Sequence, residues 1–273
     1  MGTIIADSET FDVEIRGKHL KVALRTKFDR QFWTRWLPAG WEQDTFDFVD
    51  EFVSEGTTFI DIGTWIGPIS LYAATRGARV ISLEPDPVAH PSLVANVALN
   101  CDSLPGSVEV LQQAFDAKPG TVKIYGNHKG FGTSGSSSTG TGWRSITVPA
   151  CTVEHLVEMA GGGPKVLKVD IEAHEYLCGP ELARLRTALD APMNLSVHPS
   201  SLSRPRGWKF WQPKGLEAEA VYRRTEALLA EFSDCTLNAT NAPISLEGDA
   251  LRERLLPASG SAAEFTVIAT TRA

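Results

Sequence analysis

Five short apolar runs in this chain end in polar or ionisable residues: Asp61-Ile62-Gly63, Glu84-Pro85-Asp86, Gln113-Ala114-Phe115, Asp170-Ile171-Glu172 and Ser196-Val197-His198. If the runs are parallel strands of one sheet, these residues share its carboxyl edge, where open α/β sheets bind their ligands. The loop Asp61-Ile62-Gly63-Thr64-Trp65-Ile66-Gly67 is a glycine turn, but Trp65 stands where a dinucleotide fingerprint places its close-approach glycine. That bulk obstructs a pyrophosphate and suits a nucleoside ligand without one. S-adenosylmethionine is such a ligand: its amino acid end can follow the turn through Gly63, Trp65 and Gly67, with Asp61 near the ammonium. Glu84, 23 residues beyond Asp61, is placed to accept hydrogen bonds from two ribose hydroxyls. Asp86 reads either as a ligand residue or as the cap of the helix that follows.

Asp170 and His198 follow two strands and face the same edge, which makes them the expected catalytic pair. His198 is the better titrant near neutral pH and is the expected general base. The competing roles are a structural histidine, and for Asp170 an N-cap on a helix expected from Glu172 to Leu177. Asp170, Glu172 and His198 together also offer two hard oxygens and one imidazole, a donor set compatible with Mg2+ or Mn2+. His155 and His174 fall on helices and are expected at the surface.

The elements that must hold these residues alternate. From Thr57 onward the runs TTFIDIG, ARVISLEP, VEVLQQAF, KVLKVD and MNLSVH read as strands, and PISLYAATRG, PVAHPSLVANVALN, TVEHLVEMA and EYLCGPELARL read as helices between them. Pro87 is expected in the first turn of its helix, where a missing N–H costs nothing. TVKIYG and RSITVPA are two further strands, GLEAEAVYRRTEALLAEF is an amphipathic helix, and CTLNA and EFTVIAT close the pattern as strands. The fold class expected is therefore α/β: a doubly wound, Rossmann-like sheet with a C-terminal antiparallel strand. Residues 56–273 make the ligand-binding domain, and residues 1–55 a small N-terminal extension. The extension comprises a hairpin turning at Arg16-Gly17-Lys18 and an aromatic-rich helical segment. Trp33, Trp36 and Trp41 serve there as packing or as a stacking wall, and Glu42 is expected on the rim of the ligand pocket. Two loops invite function: the Gly/Ser/Thr stretch 127–142, a crossover or a lid, and the basic, aromatic Ser203–Gly215, a solvated loop or an anion-binding one.

Composition narrows the field. The 273 residues are 42% hydrophobic and 22% charged, a globular balance, and the net charge of -7 is a poor match for nucleic acid. The four cysteines form no CxxC pair and are expected as reduced thiols. The first residues lack the basic and apolar regions of a signal peptide, and no run spans a bilayer, so the expectation is cytoplasmic. Assembly as a homodimer through the extension is compatible with all of this.

The motifs FIDIGTWIGPISLYAA, VISLEPDP, LVANVALN, LKVDIEAHEYLCG and LSVHP, with FWTRWLPAGWEQDTFDFVDEFV upstream and the Ser-rich GFGTSGSSST between, resemble the FkbM family of S-adenosylmethionine-dependent methyltransferases. The resemblance runs from about Phe32 to Pro199. It implies a class I methyltransferase sheet and O-methylation of a hydroxyl on a natural product, sugar or glycan. It also implies that Asp61, Gly63 and Gly67 line the methionine side, Glu84 binds ribose, and Gln113 and Ala114 lie near the adenine. The chain departs from the family at Ala173, often glycine, and at Ser196, often acidic. The rival readings are a nicotinamide-dependent oxidoreductase, which Trp65 opposes, and a non-catalytic S-adenosylmethionine-binding protein, which Asp170 and His198 oppose.

Overall fold

The computed structural model describes residues 9–126, 131–133, 138, 144–203, 216–239, 248–255 and 264–271. The chain opens with strands β1 (Glu9–Ile15) and β2 (Lys18–Leu24), paired antiparallel around Arg16-Gly17. Both turn residues take positive φ, the backbone of a two-residue hairpin. Helix α1 (Lys27–Gln31) starts at a capping box in which Thr26 and Asp29 satisfy each other's backbone N–H groups. It continues into a single π-helical turn, Phe32–Trp36, and α2 (Gln43–Phe52) follows.

The alternating elements then run in the expected order. They are β3 (Thr58–Ile62), α3 (Pro68–Thr75), β4 (Arg79–Leu83), α4 (Ala89–Ala98) and β5 (Ser107–Leu111). A small separate sheet follows, of β6 (Ala114–Phe115), β7 (Thr121–Tyr125) and β8 (Ser145–Cys151). The main sheet resumes through α5 (Val153–Ala160), β9 (Lys165–Val169), α6 (Glu175–Leu189) and β10 (Met193–Val197). The last elements are α7 (Pro199–Ser203), α8 (Ala218–Ala230), β11 (Cys235–Ala239), α9 (Gly248–Leu255) and β12 (Phe265–Thr271).

The main sheet has seven strands in the order β11-β12-β10-β9-β3-β4-β5. Only β12 runs against its neighbours, pairing antiparallel with both β10 and β11. This is the doubly wound, Rossmann-like sheet with an antiparallel C-terminal strand that the alternation predicts. Chain order reverses between β3 and β9, so the crevice of the fold opens at their carboxyl ends.

Local readings differ from the structure in four places. VEVLQQAF is two strands: β5 belongs to the main sheet, Ala114 and Phe115 pair with β8, and Gln113 sits at the break. Pro87 lies ahead of α4, and it is Pro91 that falls in the first turn. The helix after β9 starts at Glu175 rather than Glu172 and extends to Leu189. It passes Pro180 with a non-helical Cys178, as a proline must disturb the turn before it. Helices α7 and α9 carry no signal strong enough to be read in advance.

Apolar side chains pack in two main clusters. One gathers the faces of α5, α6 and α8 against β9, β10 and β12. The other joins Phe32, Trp33 and Phe46 of the N-terminal segment to Phe59, Trp65 and Ile66 of the β3 region. Residues 9–55 therefore share a core with the sheet, and buried polar contacts stitch them on. Asn96 Oδ1 accepts from the Ala23 amide at 2.7 Å, and its Nδ2 donates to Ile66 O at 2.9 Å. Ser92 Oγ donates to the capping Asp29 at 2.9 Å.

One glycine is dictated by close approach. Gly63 has φ +86, and a Cβ there would lie 1.7 Å from the Asp170 carbonyl oxygen. The turn after β3 and the end of β9 meet at that point. Gly63→Ala is expected to lower stability by more than about 3 kcal/mol, combining left-handed strain with a backbone clash. Urea denaturation would check it; a loss below about 1 kcal/mol would mean that the two loops separate freely.

Candidate functional site

A cavity of about 280 Å³ opens at the switch point, walled by the ends of β3, β4 and β9 and by Trp41 and Glu42 of the N-terminal segment. Glu42, Gly63, Trp65, Glu84, Gln113 and Ala114 all line it. So do Asp170, Glu172 and His198. Three residues expected at the ligand do not. Gly67 caps α3 behind the wall. Asp86 is buried beside it, accepting from the amides of Val88, Ala89 and Gly132. Asp61 is buried beneath the floor with both oxygens engaged.

Asp61 and Lys168 are direct register partners on the neighbouring parallel strands β3 and β9. Lys168 Nζ lies 3.1 Å from Asp61 Oδ1 and donates equally to Gly63 O, while Ser70 Oγ donates to Asp61 Oδ2 at 2.7 Å and meets Ser82 Oγ at 2.8 Å. Burial alone would strip the proton from Lys168, but Asp61, Asp170 and Glu42 override it and hold the ammonium charged. Lys168 lines the cavity and was not read from the sequence. Its signal was a lysine inside the otherwise apolar run KVLKV, where a charge needs a partner.

At the end of β4, Glu84 is pinned by two amides. Its Oε2 accepts from Trp65 N at 2.6 Å and its Oε1 from Asp86 N at 2.7 Å. Burial, reinforced by Asp86, pushes its carboxyl up to about 8. Trp65 takes a left-handed backbone with φ 54, and its ring packs edge-on against Phe32, 4.7 Å between centroids, with Trp41 nearby. Of the three tryptophans considered, Trp33 is core, Trp36 is exposed and Trp41 is cavity wall. Gln113 Oε1 is buried without a hydrogen-bond partner. Glu42 also adopts left-handed backbone, at φ 43, and burial together with Asp170 raises its carboxyl to about 8.

The other end of the cavity is acidic. His198 Nδ1 is 3.1 Å from Glu175 Oε1, which also accepts the His198 amide at 2.9 Å. His198 Nε2 lies 3.3 Å from Asp170 Oδ1. Burial opposes a charge on the ring, but carboxylates on both nitrogens win and hold His198 well above its ordinary value. Both ring nitrogens of His198 therefore face carboxylates in this arrangement. Asp170, half-buried, is kept below the usual carboxylate range by His198 and Lys168. It is not a helix N-cap: Glu172 and Ala173 intervene with φ 52 and 73 before α6 begins. Ala173 holds left-handed backbone that glycine would adopt without strain. Glu172 is raised to about 8, mainly by burial and by Asp170, with His198 pulling the other way.

His174, expected at the surface, is buried and lines the cavity. Its Nδ1 pairs with Ser138 Oγ and its Nε2 lies 3.6 Å from Asp116 Oδ1, with burial lowering its affinity for a proton. His155 is exposed as expected. Glu264, ahead of β12, also reaches the cavity, a long-range contribution no local pattern announces. Residues 204–215 and most of 127–142 lie outside the described residues.

No family model matches the chain, and no curated protein matches it. Solved structures do. A candidate rRNA-methylase from Clostridium thermocellum is similar at 10% identity over 85% of this chain and 94% of its own, with a TM-score of 0.47. A TehB-like SAM-dependent methyltransferase from Corynebacterium glutamicum is 14% identical over 89% and 96%, with a TM-score of 0.39. Methyltransferase FkbM from Methylobacillus flagellatus is 14% identical over 79% of this chain and 43% of its own, with a TM-score of 0.46. Membership of the FkbM family stays a resemblance carried by motifs.

The buried charges make two predictions. Lys168→Met leaves Asp61 buried and uncompensated, and should cost about 3–5 kcal/mol, most of it regained when Asp61→Leu is added. Chemical denaturation of the singles and the double measures this; two fully additive losses would show that the pair is not coupled. The second concerns pH. Carboxyls whose folded values rise from 4.5 to about 8, as at Glu42, Glu84 and Glu172, bind more protons folded than unfolded. Their contribution is complete below 4.5 and is lost as pH rises through 8, and the raised His198 acts in the same direction. The ligand-free protein should therefore melt at a lower temperature at pH 8 than at pH 5.5, with Glu84→Gln narrowing the difference. A melting temperature that climbs across this window would contradict the burial of these groups.

Proposed function

We propose that the chain is an S-adenosylmethionine-dependent methyltransferase that methylates a hydroxyl on a natural product, sugar or glycan. The observation that carries this reading is the pairing of Trp65 with Glu84. The close-approach glycine needed by a pyrophosphate is replaced by a tryptophan, and the amide of that tryptophan aims a buried acid into the cavity. Glu84 has lone pairs left after its two amide bonds, enough to accept from two ribose hydroxyls. Gln113 Oε1, unpartnered, fits the exocyclic amino group of an adenine. Glu42 and Lys168, within electrostatic reach of each other, offer a carboxyl and an ammonium to a zwitterionic amino acid end.

When bound, the cofactor supplies an electrophilic methyl on a sulfonium. The chain's own work is to hold an acceptor oxygen in line with it and to exclude water, and much of the rate gain in such a displacement comes from positioning. Asp170 accepts the acceptor's hydroxyl hydrogen and takes the proton as the oxygen is alkylated. That proton is then strongly acidic, so a carboxylate of low pKa is base enough. His198 positions Asp170 rather than acting as the base itself. The net charge of -7 supports a small-molecule or carbohydrate acceptor over nucleic acid.

Calorimetric titration with S-adenosylhomocysteine and, separately, with NAD tests the reading. Micromolar binding of the former is expected, weakened at least tenfold by Glu84→Ala through loss of the hydrogen bonds to the ribose hydroxyls. Absence of S-adenosylhomocysteine binding would sink the reading, and NAD binding in its place would make this a dinucleotide enzyme.

A further inference from the structure

At the acidic end of the cavity, Asp170, Glu172 and His198 each present a ligand atom, and these atoms lie within 4.8 Å of one another. In an octahedral Mg2+ or Mn2+ site neighbouring ligands stand about 3 Å apart and opposite ones about 4.2 Å apart, the range into which these three atoms fall with a modest inward shift. The residues come from two strand ends on one side of the switch point, β9 and β10, so the cluster is made by the sheet and not by one flexible loop.

Two further observations point to a ligand. His198 is oriented as a metal-bound histidine is. Glu175, fully buried on α6, engages Nδ1 and the backbone amide, and so turns Nε2 toward the cluster. Asp170 Oδ1 is buried and makes no hydrogen bond: His198 Nε2 is 3.3 Å away but too poorly aligned to satisfy it. Glu264 lines the same end of the cavity and Glu175 contacts His198, so carboxyl groups outnumber the one imidazole there. A hydrogen-bond donor or a cation is the missing partner, and carboxylates in excess over one imidazole select a hard dication.

We propose that Asp170, Glu172 and His198 form a site for a hard divalent cation, Mn2+ or Mg2+, with Glu175 as the positioning residue for His198. A dication held there would lower the pKa of an acceptor hydroxyl; Asp170 would then be an anionic ligand in place of the proton acceptor of the metal-free site, and the proton would leave to solvent. The residues differ from those proposed for the cofactor, so the site can be tested without it.

Electron paramagnetic resonance titration of the purified full chain with Mn2+, in the absence of S-adenosylhomocysteine, should show one bound ion per chain, displaced by Mg2+. Glu172→Gln should weaken binding at least tenfold, and Glu175→Gln by 10–100-fold through loss of ring orientation. Thermal melts of both variants separate a lost site from a lost fold, and an Mn2+-induced rise in the wild-type melting temperature gives a readout needing no variant. Glu84→Ala should leave Mn2+ binding unchanged while losing S-adenosylhomocysteine, so failure of the metal site and failure of the cofactor reading are separate results. No saturable Mn2+ binding, or equal binding in Glu172→Gln, would overturn the proposal and leave the acidic end to a cationic acceptor.

Discussion

A lysine and an aspartate facing each other across the two central strands organise this molecule. Lys168 and Asp61 are buried register partners at the point where strand order reverses. Neither charge is tolerable alone in that environment, so β3 and β9 must meet in this register for both to be satisfied. The same ammonium also binds Gly63 O, which draws the glycine turn down onto β9 until it touches the Asp170 carbonyl. The floor of the cavity is thus set by an ion pair, a backbone contact that only glycine permits, and the Ser70–Ser82 hydroxyl pair that completes the shell of Asp61.

On this floor the chain builds two chemically different ends. Toward β4 the groups are pinned by backbone amides and the wall is aromatic, with Trp65, Phe32 and Trp41 in edge contacts. That wall exists only because the N-terminal segment packs into the same core as β3, so residues read as an extension prove to be part of the site. Toward β10 the groups are acidic and crowded, and imidazole sits between two carboxylates. The division separates a region suited to a neutral nucleoside from one suited to a hydroxyl, a proton or a cation.

The errors of sequence reading share one cause. His174 lies on what reads as a helix, but two left-handed residues delay α6 by three positions and turn that histidine inward. Asp170 resembles an N-cap for the same reason. Asp61 meets Lys168 from the neighbouring strand, and Gln113 reads as strand until β5 and β6 part into different sheets. In each case the local pattern is correct to within a few residues, and a contact from a distant strand decides the role.

Alternating apolar runs, the glycine turn and the acid 23 residues beyond it determined the sheet and the edge at which its cavity opens. These are local properties, written in periodicity and in the size of one side chain. Tertiary structure alone decided which acids reach the cavity and which are consumed beneath it, which histidine is clamped by Glu175, and that Lys168 and Glu264 join Glu42 in lining it. Protonation and burial depend on every neighbour within a few ångströms, and those neighbours come from strands as far apart in sequence as β3 and β12.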